Sequence, residues 1–161
     1  MAKRLKLGLM NNLNSLSDKS WEKGPSWLVG GQIGLAVIGL FLATFLAAEY
    51  LRGAWPPCSL TDGCQTVLGS KYAQIGPVPT ASLGIIYYLL LVILGVAYLQ
   101  GKRLRWLHLS LRLTVVGAMV SFYLVYLQLF VIKAICPYCM LSAALCFLLL
   151  GIDLIVWRRY L

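Results

Sequence analysis

The chain has 161 residues, 60% of them hydrophobic and only 12% charged, with a mean hydropathy of +0.82. That balance excludes an ordinary soluble domain, of which about a quarter is charged. Lys and Arg outnumber Asp and Glu 14 to 5, for a net charge of +9. No aromatic- or glycine-rich basic motif points to nucleic acid, so the excess charge reads as topology and contact with anionic lipid headgroups.

Residues 1–26 form a polar, basic leader expected to stay in the cytoplasm. It is too long, and the apolar run after it too extended, for a cleaved signal peptide. The first predicted span covers 27–50 and meets no charge until Glu49. Gly30 and Gly34 within it have the small-xxx-small spacing that lets helices approach closely. The connection at 51–79 carries Cys58 and Cys64 in a Pro- and Gly-punctuated stretch, the signature of a turn-rich loop. Just beyond, 65–70 predicts a short amphipathic helical piece able to dip into the mouth of a bundle. The second span covers 80–100. Lys102, Arg103 and Arg105 separate it from the third, 107–132, which holds His108 and Arg112 near its start. The fourth, 135–157, opens on Cys136-Pro137-Tyr138-Cys139, holds Cys146 two turns deeper, and has Asp153 near its end. Arg112 is expected either to pair with Asp153 or to snorkel to the headgroups.

Each segment has about the 20 apolar residues that a span needs. The expected fold is therefore all-α: an integral membrane four-helix bundle over 27–161, with a long extracytoplasmic loop between helices 1 and 2. Lys3, Arg4, Lys6, Lys19 and Lys23 precede span one, and Arg158 and Arg159 follow span four. Positive charge stays on the cytoplasmic side, so both termini are expected there, in a multi-pass protein of the plasma (inner) membrane. Four of the five cysteines then face the oxidising side, where disulfides persist.

Cysteines three residues apart on a helix share a face, so Cys136 and Cys139 can bridge or act in sequence. Pro137 suits a first helical turn, where its missing N–H costs nothing. A helix N-terminus favours a thiolate, while low-dielectric surroundings oppose it. One cysteine of such a pair can attack a disulfide while its neighbour resolves the exchange or reduces a carrier. Two pairs within reach form a two-electron relay beside a bilayer that supplies quinones. The bland alternatives are a zinc site built from the same thiolates, a fixed disulfide at Cys58–Cys64, and packing for Cys146. Together they describe a metal-binding or structural four-span protein.

The ordered set matches a family. A C-x5-C pair after span one, Ser70 six residues past Cys64, the run PTASLGIIYY at 79–88, and CPYC at the head of span four resemble the vitamin K epoxide reductase family, in particular its bacterial, quinone-dependent, disulfide-forming members. The resemblance implies that Cys58 and Cys64 are the loop shuttle pair, taking electrons from a thioredoxin-like thiol oxidoreductase. It implies that Cys136 exchanges disulfides with the loop, that Cys139 passes electrons to the quinone, and that Ser70 helps shape the active site. Ser70 alone would read as a turn serine. Tyr88, one turn past Gly84, is a candidate for the carrier pocket, with packing as its bland alternative. Many bacterial relatives carry a fused thioredoxin-like domain; this chain ends at Leu161, so a separate soluble partner is expected. Ala143 stands where vertebrate members have a tyrosine, which favours a plain quinone of the ubiquinone or menaquinone type over an epoxide. A second type of four-span quinone-linked oxidase has its C-x-x-C pair in the first outer loop, the reverse of the order here. Nothing in the spacing says which loop cysteine meets Cys136.

Overall fold

A computed structural model describes residues 26–53, 63–75 and 78–160. Four helices are long and apolar enough to cross a membrane: α1 (Ser26–Arg52), α3 (Thr80–Gly101), α4 (Leu104–Tyr126) with its π-helical extension (Leu127–Ile132), and α5 (Pro137–Tyr160). A six-residue helix, α2 (Gly63–Leu68), and a two-stranded hairpin, β1 (Gln74–Ile75) with β2 (Val78–Pro79), lie in the connection between α1 and α3. The four-helix expectation holds. Cys58 and residues 1–25 lie outside the described residues.

The bundle forms because each helix turns one narrow stripe inward. On α1 the buried residues Val29, Gln32, Ala36, Gly39, Ala43 and Leu46 fall three or four apart, with Ala47 beside the last, the spacing of one helical face. Outward-facing residues are equally apolar: Phe41, Met119, Phe122 and Phe130 are all exposed. An apolar exterior of this kind suits lipid and not water.

Close helix contact falls on different glycines from those read in the sequence. Gly30 and Gly34 are exposed with open space around them. Gly39 and Gly95 make the approach of α1 to α3, because a Cβ at either would collide with Tyr88 or Ile33. A small-xxx-small motif marks a face without saying what meets it; here that face has no partner among the described residues.

Between α1 and α3 the short elements are tied down. Tyr50 at the end of α1 donates to Gln74 Oε1 at 2.8 Å, and Thr80 N–H donates to the Ala73 carbonyl at 2.8 Å. The hairpin thus delivers the chain into α3. At the other end of the bundle, Lys102 adopts the left-handed conformation (φ 48°) and closes α3 through an N–H bond to Tyr98.

Within the bundle, layers alternate. An apolar layer of Ala36, Leu91 and Leu149 surrounds Tyr88 and Cys146. A polar layer lies nearer the Lys102 end: Gln32 Nε2 donates to Ser110 Oγ (2.6 Å), and the Ser110 and Thr114 hydroxyls donate to Asp153 Oδ2 (3.2 and 2.8 Å). Asp153 therefore takes hydroxyl donors, and Arg112, which is exposed, makes no ion pair with it. The carboxyl satisfies itself inside the bundle while the guanidinium stays on the outer surface. His108 is exposed on the same helix, far from the cysteines.

Candidate active site

Cys136 is the residue around which the opposite end of the bundle is built. It immediately precedes Pro137, the first residue of α5, and is fully buried. Its carbonyl accepts the first helical bond, from Met140 N–H at 3.0 Å. The sulfur takes the place of an N-cap side chain, accepting from the Cys139 thiol and from the backbone N–H groups of Cys139 and Tyr138. The Cys139 hydrogen bond outweighs the cost of burial and holds the Cys136 thiol down at about 7. Both cysteines of the pair are free thiols.

The chain reaches Cys136 by an unusual route. At Leu127 the α-helix widens into a π-helix, a form found mostly as single turns and often at functional sites. Lys133 ends it in the left-handed conformation (φ 54°), its N–H bonding Gln128 O. Ala134 N–H bonds the same carbonyl at 3.1 Å. The Gln128 side chain, 4% exposed, reaches forward so that its Oε1 accepts the Cys136 N–H at 3.1 Å.

Cys64 arrives from the other side. It sits in α2, is fully buried and is held in a disulfide. Its Sγ lies 3.6 Å from Cys136 Sγ. Val67 packs with the two cysteines, flanked by Ile132 and Tyr138. The short amphipathic helix foreseen at 65–70 is present but begins two residues earlier, so Cys64 belongs to a docked helix and not to an open loop. Gly63 permits the docking, because a Cβ there would strike the Ile135 carbonyl oxygen.

Below the cysteines is a cavity of about 710 Å³ with mainly apolar walls, lined by Cys139, Gln128, Tyr87, Tyr88, Ser70 and Ala43 among others. Ser70 lies in the turn after α2, its hydroxyl donating to Val67 O at 2.7 Å. Tyr88 is buried, its hydroxyl within reach of Ser142 O (3.1 Å), Ser142 Oγ (3.0 Å) and Cys146 Sγ (3.4 Å). Both residues line the cavity, with their hydroxyls already engaged. Cys146 is buried against Tyr88, as its packing role anticipated. Tyr87 carries a buried hydroxyl without a hydrogen-bond partner, its ring edge-on to Tyr88 at 5.0 Å. Sequence reasoning passed over Gln128 and Tyr87. An amide eight residues before Cys136, inside an otherwise apolar run, was the available signal for the first.

Such a cavity suits a flat aromatic carrier: apolar walls, a few polar groups and a thiol on the wall. Spanning helices, a disulfide sulfur against a lowered-pKa thiol, and this cavity define a multi-pass membrane redox protein. The chain belongs to the vitamin K epoxide reductase family, whose model matches residues 32–154. Membership makes it an oxidoreductase with a quinone-linked role in the membrane.

Proposed function

We propose that this protein is a membrane thiol:quinone oxidoreductase that reoxidises a thioredoxin-like partner and so drives disulfide formation in exported proteins. The observation that carries the reading is the 3.6 Å approach of Cys64 Sγ to Cys136 Sγ. Disulfide exchange requires a thiolate in line with a disulfide sulfur, and a thiol at about 7 supplies the thiolate near neutrality.

The partner's dithiol attacks the Cys58–Cys64 disulfide and leaves oxidised, with the loop pair reduced. Cys64 then attacks Cys136 in a Cys136–Cys139 disulfide, forming a Cys64–Cys136 bond and releasing the Cys139 thiol. Cys58 attacks Cys64 in turn, which restores the loop disulfide and leaves Cys136 and Cys139 reduced. An oxidised Cys64 beside two free thiols corresponds to that stage. The quinone, as acceptor, takes up two electrons and two protons. Cys136 and Cys139 lose the same number as their S–S bond re-forms, and Cys139, on the cavity wall, is the thiol that meets the carrier. Lys102, Arg103, Arg158 and Arg159 gather at the end away from the cysteines, which supports a cytoplasmic placement of that end and an extracytoplasmic active site.

The test is an anaerobic titration of the reduced protein with a short-chain quinone, counting free thiols as quinol forms. Two thiols lost per quinol, and none in Cys139→Ala, is the expected result. Unchanged thiols with no quinol in the intact protein would overturn the reading and favour a structural role for the cysteines.

A further inference from the structure

We propose that Gln128 is the hydrogen-bond donor that holds the reacting carbonyl of the quinone beside Cys139. The inference rests on the thiol:quinone reading and adds to it a substrate-binding residue.

Gln128 is the only polar side chain in the π-helical segment Leu127–Ile132, and it is 4% exposed. A buried amide carries one acceptor and two donor hydrogens. The acceptor is committed, because Oε1 receives the Cys136 N–H at 3.1 Å. That bond sets which way the amide faces and leaves the Nε2 end for another group. The same side chain lines the cavity that holds Cys139 on its wall. Three hydroxyls of the wall, those of Ser70, Tyr50 and Tyr88, are committed elsewhere. Ser70 donates to Val67, Tyr50 donates to Gln74 and Tyr88 is tied to Ser142. Tyr87 keeps its hydroxyl buried against the Gly117 face of α4.

The π turn supplies the geometry. Its extra residue per turn lets one side chain bond forward to Cys136 while remaining on the cavity wall. Negative charge gathers on a quinone carbonyl oxygen as electrons arrive, and a fixed N–H donor in low-dielectric surroundings stabilises it. Gln128 neither gains nor loses a proton; one proton of the quinol comes from the Cys139 thiol and the other from Cys136 or, where Cys136 is already a thiolate, from water.

The test uses protein that binds without turning over. Cys139→Ala protein is loaded with a short-chain ubiquinone carrying carbon-13 at its carbonyls, and the carbonyl stretch is read by infrared difference spectroscopy. With Gln128 intact, one carbonyl band is expected below its free-quinone position. In Gln128→Met that band should return to the free position, with affinity about tenfold weaker, the worth of one such bond. Gln128→Glu keeps the acceptor for Cys136 and can donate only while protonated, so its band should move back as pH rises. A lowered band that survives in both variants would overturn the assignment. Failure of the labelled quinone to bind with Gln128 intact would overturn the quinone reading itself.

Discussion

Cys136 has its thiol held down by three donors, and the strongest of them is the side chain it is to pair with. Thiolate character therefore depends on Cys139 more than on the helix end. Burial pulls the other way, and that hydrogen bond is the largest of the effects that oppose it. The thiolate ultraviolet absorbance of the reduced protein, taken as a difference from Cys136→Ser, should titrate with a midpoint at about 7. In Cys139→Ala the midpoint should rise, since burial then meets only backbone donors. The sign for stability follows. The folded value lies below the unfolded one, so the stabilisation is present above the ordinary thiol value and is lost as pH falls through about 7. A midpoint unmoved by Cys139→Ala would transfer the effect to the N–H groups of α5.

At the scale of elements, α2 decides whether the relay connects. Gly63 lies against the Ile135 carbonyl, and backbone cannot yield as a flexible side chain does. Gly63→Ala should lift α2 by a fraction of its own width and separate Cys64 from Cys136. A misplacement of ~1 Å at a reacting pair costs about a hundredfold in rate. Rapid mixing with a reduced thioredoxin, acid quenching and thiol labelling should show the Cys64–Cys136 step slowed by that order. Quinone oxidation of chemically reduced Cys136–Cys139 should continue, because that pair is held at the head of α5 and not by α2. Equal slowing of both steps would mean that α2 also shapes the cavity. The four spans and the CPYC pair were legible because apolar length and a helix-start proline are local properties of the chain. The first residue of α2 was not, because Gly63 and Cys64 are helical through docking on the segment before α5, a contact 72 residues away in sequence. Nor was the π turn: a run of Leu, Phe, Val and Ile fits an α-helix equally well, and the bonds that Gln128 receives from Lys133, Ala134 and Cys136 lie beyond that run. Gly30 and Gly34 misled because a close-approach motif reads the same whether the facing surface is a helix or lipid.

Across the whole molecule, chemistry and assembly occupy opposite ends. Cys139 and Asp153 stand on one helix fourteen residues apart, about 21 Å at 1.5 Å per residue. The polar layer of Gln32, Ser110, Thr114 and Asp153 joins α1, α4 and α5. Beneath it lies an apolar layer of Val29, Tyr98, Leu107 and Val156, which shuts the polar groups off from the Lys102 end and argues for a lock between helices over a passage. In lipid, apolar surface gives helices no preference for one another over the solvent, so directional bonds set register. Each such bond is worth only about 0.6 kcal/mol on average, and Thr114 has carbonyls of its own helix to fall back on, Ser110 O at 3.2 Å and Leu111 O at 2.9 Å. Asp153→Leu should therefore lower stability by about 1–2 kcal/mol, the two lost bonds plus a partly unpaired Ser110. Asp153→Asn, which keeps an oxygen for both hydroxyls, should fall within about 0.5 kcal/mol of the parent. Reversible unfolding in mixed micelles measures both. Quinone reduction per folded molecule should be unchanged in either variant, because no bond of this layer reaches Cys136, Cys139 or Gln128. A folded Asp153→Asn protein that had lost quinone reduction would put the carboxyl into the redox chemistry, and the layer would have to be read as a proton store instead of a lock.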